Sequence, residues 1–150
     1  MRVFAVLLAV TLCGCSNRRE CDGTYTVDPA FTANERATIV EQLHRWGDFT
    51  ASRTNVKLEF TGVCHIAPVD SIPDHGGWGG LQLDSSGNIV IAKWVRADPS
   101  MFERTVLHEL GHGFGLQHVV DPNAVMNHDV AADVFNDSDR GECLRVGACR

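Results

Sequence analysis

The chain has 150 residues, room for one domain around a single core. Nineteen acidic residues outweigh thirteen Lys and Arg, for a formal net charge of −6. Arg18-Arg19 is the only basic doublet, so the composition argues against a nucleic-acid partner held through its phosphates.

The first segment reads as an export leader. Arg2 supplies a positive start, and Val3 to Leu12 is an apolar run too short to remain as a membrane-spanning helix. The run ends in Leu12-Cys13-Gly14-Cys15, which resembles the lipobox of bacterial lipoproteins. That resemblance implies cleavage before Cys15 and a lipid on Cys15. It divides the chain into a signal peptide (1–14), a lipidated cysteine with a polar tether (15–23) and a folded domain (24–150). Ser16 resembles the residue of lipoproteins sorted to the outer membrane. The expected location is the bacterial cell envelope, with the lipid as the only membrane attachment; ordinary cleavage nearby would instead leave a soluble secreted protein. Losing Arg2 makes the mature chain one unit more acidic. Four further cysteines remain, Cys21, Cys64, Cys143 and Cys149, and an even count in an exported chain points to two disulfides. Their three connectivities stay open, and no CxxC pair suggests a cysteine metal site.

Tyr25 to Val27 is a candidate first strand. Thr32 opens a helix, with Glu35 three residues on completing a capping box. Ile39, Val40, Leu43 and Trp46 recur at helical spacing and predict a core face, and Gly47 falls near the helix end. Glu41, His44 and Arg45 fall on the solvent face. Val56 to Phe60 alternates apolar and polar like a half-buried strand, and Cys64 to Val69 reads as another. Asp70 to Gly80 is a loop by its Gly, Pro and Asp content. Leu81–Leu83 and Ile89–Ala92 form a strand pair around a tight polar turn. Asp98-Pro99-Ser100 starts a second helix, with Ser100 and Glu103 as a second capping box. Asp129 to Glu142 reads as an acidic, solvated loop before a last helix around Cys143 to Val146. The order strand, helix, strands, helix predicts an α+β or mixed-sheet α/β fold.

The second helix carries His108-Glu109-Leu110-Gly111-His112. Histidines at i and i+4 share one helix face, and two imidazoles so placed can reach one tetrahedral zinc at about 2.0–2.1 Å. Glu109 projects off that axis and can reach a zinc-bound water. Phe102, Val106, Leu110 and Phe114 take a different face and should be buried. The chain then runs to His118, which a straight helix could not bring to the same ion. Gly115 can adopt the left-handed conformation that turns the backbone sharply and makes His118 a third ligand. A pattern fixing three His, one Glu and one Gly arises by chance at well under about one start position in a million.

His108 to His118, HELGHGFGLQH, is similar to the zinc signature of the metzincins, and Asp121-Pro122-Asn123-Ala124-Val125-Met126 resembles their Met-turn. The ending and its distance from His118 look most like the matrixin branch. The resemblance implies a metzincin-like zincin: a twisted mixed sheet, an active-site helix, a Met-turn and a C-terminal helix. It implies His108, His112 and His118 as ligands of one catalytic Zn²⁺, Glu109 as general base and Met126 as the floor of the site. The chain departs in having Val119 where matrixins have Ser. Its loop Asp70 to Gly80 offers only Asp70, Asp74 and His75, too little for a second zinc; calcium is permitted there but unsupported. His128, two positions after Met126, stands where the astacin branch has a metal-reaching tyrosine, so it is a candidate transition-state stabiliser as well as a plain surface histidine.

The expectation is a zinc-dependent endopeptidase acting on a peptide or protein substrate. The substrate would pair with the edge strand near Leu81–Leu83, with residues Asn127 to Phe135 shaping the prime-side pocket. A non-catalytic, zinc-stabilised binding lipoprotein is the alternative from another class, opposed by Glu109, which a structural site does not need. A zinc amidase acting on cell-wall material is the third. A monomer is assumed; the sequence does not specify the oligomeric state.

Overall fold

In the computed structural model the described residues are 24–51, 55–56, 64–72, 79–83, 87–129 and 132–149. The elements run β1 (Thr24–Val27), α1 (Ala33–Thr50), β2 (Asn55–Val56), β3 (Cys64–Val69), β4 (Gly80–Leu83), β5 (Asn88–Ala92), a 3₁₀ turn (Val95–Ala97), α2 (Pro99–Gly113) and α3 (Asp137–Arg145). The five strands form one sheet in the order β2-β1-β3-β5-β4. Neighbours are parallel except β4, which runs antiparallel to β5 at one edge with Leu81 opposite Val90. The mixed α+β expectation holds, and β4 is the edge strand the sequence suggested. No described helix is long and apolar enough to cross a membrane.

Alternation explains how the sheet buries one face. On β3, Cys64 and Ile66 are buried while His65 is exposed; on β5, Ile89 and Ile91 are fully buried. Against them α1 sets Ile39, Leu43 and Trp46, and α2 sets Phe102, Val106, Leu110 and Phe114, as helical spacing predicts; Val40, expected on the same face of α1, is only half-buried. Trp46 links the two helices directly, because its Nε1–H donates to Leu107 O at 2.7 Å. Its ring also stacks near Phe114 and meets Phe135 edge-on at 4.6 Å. His44 is exposed as expected, whereas Arg45 is half-buried: it pairs with Glu103 at 3.2 Å and donates to Gln42 and to Asp133 O.

Helix starts follow local chemistry, with two corrections. Thr32 and Glu35 form the capping box at the head of α1, and Arg96 grips Glu35 at 2.6 Å. Ser100 and Glu103, however, do not cap α2. Asp98 does, accepting from Ser100 N at 2.9 Å and Met101 N at 3.1 Å, because Pro99 suits the first helical position and starts the helix two residues earlier. The last helix likewise starts at Asp137, not near Cys143. Asn136 caps it, Asp139 closes the box, and the acidic residues read as solvated loop form its first turn, where carboxylates favour the helix dipole. Gly80 belongs to β4 rather than to the preceding loop.

Cys143 and Cys149 are bonded, which excludes two of the three pairings open to the four cysteines. Cys64 is buried and also disulfide-bonded. Cys15, Cys21, residues 57–60, Asp74 and His75 lie outside the described residues. Asp70 is exposed and faces Lys93 at 3.8 Å.

Candidate metal centre

The second half of α2 is buried from Val106 to Gly111, including His108 at 8 % exposure and Glu109 at 7 %. The helix then stops in a Schellman arrangement. Gly115 has φ 89°, its N–H reaches His112 O at 2.8 Å, and Leu116 N–H reaches Gly111 O at 3.0 Å. Leu116 is fully buried and anchors the reversal. The chain therefore doubles back, and His118 faces the helix it has just left.

The three imidazoles converge. His118 Nε2 lies 3.2 Å from His108 Nε2 and 3.1 Å from His112 Nε2. The tautomers follow from the other ring nitrogen. His108 Nδ1 stands 2.7 Å from Val125 O and His112 Nδ1 2.9 Å from Leu116 O. A carbonyl oxygen only accepts, so both Nδ1 atoms carry the proton and both Nε2 atoms present bare lone pairs. Lone pairs aimed at one point repel unless a cation lies there. Two nitrogens each about 2.0–2.1 Å from one tetrahedral ion stand about 3.3 Å apart, which the observed spacing matches. The donor set thus fits zinc.

Electrostatics keep the ligands ready. Burial, aided by neighbouring His112, pushes His108 down to about 4. Burial also lowers His112 and His118. At neutral pH all three rings are uncharged and need lose no proton to bind a cation.

The turn from Asp121 to Met126 is bonded through Ala124 N to Asp121 O at 3.1 Å and tied to the strand-like bridge Val119–Asn127. Met126 is fully buried beneath Gly111. Glu109 lies against the edge strand: a Cβ built on Gly80 would stand 2.6 Å from Glu109 Cγ and 2.9 Å from its Oε1. His128 does not join the ligand set among the described residues. Its side chain is 63 % exposed, its ring lies 5.2 Å from that of His118, and its Nδ1 faces Asp129 Oδ1 at 2.8 Å.

Two further residues escaped the sequence reading. Asp139, fully buried, accepts from Val125 N at 3.0 Å, Met126 N at 2.9 Å and Asn136 N at 3.0 Å. Glu142, also buried, accepts from Gln117 N at 2.8 Å. Arg145, bonded to it through Nε at 2.6 Å, holds its carboxyl below the usual range. The only sequence signal for either was the Asn136…Asp139 spacing of a capping box.

A family model described as matrixin, a peptidase family, matches residues 46–139. No curated protein matches the chain.

Proposed function

Because the chain belongs to the matrixin family, we propose that this zinc metallopeptidase cleaves within polypeptides, with Glu109 as its general base. The observation that carries the reading is the convergence of three imidazole Nε2 atoms, two of them bare, on a helix whose next residue after His108 is a buried carboxylate. Held by His108, His112 and His118, zinc supplies the Lewis acidity that lowers the pKa of water toward about 7 and polarises a carbonyl.

The protein's own groups do the rest. Glu109 takes a proton from the attacking water and delivers it to the leaving amine. Its burial against Gly80 limits the carboxylate's freedom, so the base is held beside the edge strand. Among the described residues β4 is paired on one side only, and its outer edge offers backbone groups to an extended peptide by strand addition. The stretch from Asn127 to Phe135, of which residues 130–131 lie outside the described residues, is the expected wall of the prime-side pocket. Phe135 fixes its far end by stacking on Phe49 at 4.1 Å. The proximity of the His128 ring to that of His118, 5.2 Å, supports His128 as a candidate for stabilising a developing oxyanion, which it would do as the imidazolium because its Nδ1 proton is committed to Asp129. The resemblance of Leu12-Cys13-Gly14-Cys15 to a lipobox supports a place for this activity in the cell envelope, anchored through Cys15.

The test is zinc content and casein cleavage by residues 16–150, wild type against Glu109→Ala. Both should bind about one zinc, and only the wild type should cleave, with loss of the base costing at least about 10²-fold. If both bind zinc and neither cleaves any protein in a broad panel, the endopeptidase reading falls, and cell-wall amides become the substrates to try. If neither folded protein binds zinc, the metal reading itself is wrong. His128→Ala with unchanged turnover would remove His128 from the chemistry.

A further inference from the structure

A peptide unit carries one residue's C=O and the next residue's N–H on a single rigid plane. Two such units lie between the histidines and α3. The unit joining Leu116 to Gln117 accepts the His112 Nδ1 proton at 2.9 Å and donates its own N–H to Glu142 Oε1 at 2.8 Å. The unit joining Val125 to Met126 accepts from His108 Nδ1 at 2.7 Å and donates to Asp139 Oδ1 at 2.9 Å. Asp139 and Glu142 are three residues apart and share one face of α3. Each of two histidines thus ends on a buried carboxylate through one peptide bond.

The amide is polarisable along this axis. An anion accepting at N–H shifts electron density toward the carbonyl oxygen, and hydrogen bonds in a chain strengthen one another. A stronger acceptor at Nδ1–H makes the opposite ring nitrogen a better donor to a metal and fixes the ring's orientation. Gln117 is an exposed residue, yet its N–H is met by a buried glutamate. Arg145 competes for the same carboxylate with Nε at 2.6 Å and Nη2 at 2.5 Å, and so moderates its pull.

We propose that α3 tunes the metal centre, with Glu142 acting through the 116–117 peptide on His112 and Asp139 through the 125–126 peptide on His108. Both are positioning residues: they fix the tautomers and raise the donor strength of the two rings toward a divalent cation. The inference rests on the reading of His108, His112 and His118 as zinc ligands.

The experiment measures zinc affinity, by competition with a chromophoric chelator, and the Nδ1–H proton resonances of the zinc-loaded protein. Wild type, Glu142→Gln and Arg145→Met are compared. Glu142→Gln should weaken zinc binding about tenfold and move the His112 Nδ1–H resonance upfield, leaving that of His108 in place. Arg145→Met frees the carboxylate from two competing donors and should move the His112 resonance downfield. A purely structural Glu142 would loosen the site in both variants and shift the resonance the same way. Arg145 has a side chain 61 % exposed, so its replacement decides the matter even if Glu142→Gln does not fold. A folded Glu142→Gln with unchanged affinity and resonance, or shifts of the same sign in both variants, overturns the proposal. A wild type that takes up zinc but cleaves no peptide would end the peptidase reading, while these comparisons would still decide for or against the relay.

Discussion

Gly111 and Met126 meet without room for a methyl group between them: a Cβ on Gly111 would stand 3.1 Å from Met126 Cε and 2.7 Å from Trp46 Cζ2. Both neighbours are fully buried. In an open helix, Gly→Ala would stabilise by about 1 kcal/mol. Here overpacking should win, so Gly111→Ala should destabilise by about 1–3 kcal/mol net, read as a lower denaturant midpoint at unchanged slope. A stabilised variant would mean that Met126 is not packed under the helix as described.

Gly80 stands in the same relation to Glu109. A methyl group there meets Glu109 Cγ at 2.6 Å and Thr105 Cγ2 at 2.9 Å. Gly80→Ala should displace the carboxylate while sparing the three histidines. Cleavage should fall about 10²-fold, as a misplacement near 1 Å can cost that much, while zinc content stays at the wild-type level. Equal loss of zinc and activity would instead indicate collapse of the site.

Asp139 satisfies three buried or partly buried amides at once. Asp139→Ala leaves them without partners, and each orphaned buried group costs about 1–3 kcal/mol. Total destabilisation should reach about 3 kcal/mol or more. Hydrogen exchange should locate it first at the amides of Val125 and Met126. Retained protection at those two amides would contradict the contact.

The Glu35–Arg96 pair sets an acid limb. Arg96 lowers the Glu35 carboxyl from 4.5 to about 2. A depressed folded value means stability present above the unfolded pKa and lost as pH falls through the folded one. Between about pH 4.5 and 2 the wild type should therefore lose stability that Glu35→Gln has already lost at neutral pH. The variant's stability should be lower by about 1–2 kcal/mol at pH 7, and the two curves should converge toward pH 2. Parallel curves across that window would rule out the pair as their cause.

What could be read beforehand was local. The α1 cap depends on residues three apart, the strand pair on a turn between two apolar runs, and the return of His118 on Gly115 alone. In each case the partners sit within one turn of helix or hairpin. The start of α2 was misplaced because Asp98 and Ser100 both resemble caps; Pro99 decides between them by its preference for the first helical position. α3 was misread for a different reason. Its partners are backbone amides 13, 14 and 25 residues away, and an amide leaves no trace in the side-chain pattern. A run of aspartates whose acceptors are met by distant N–H groups has the same composition as one met by water. Gly80 was hidden likewise, since its constraint is the space occupied by Glu109.

The bonds from Asp139 and Glu142 also impose an order of assembly. The histidine helix and the loop after it are made well before α3, yet the backbone amides of Gln117, Val125 and Met126 find their acceptors only when α3 docks. A nascent chain that ended before residue 139 would carry His108, Glu109, His112 and His118, but would leave the loop holding His118 and Met126 unfastened. The turn that carries His118 and the turn that carries Met126 are therefore fastened only after residues 137–145 have been made and docked.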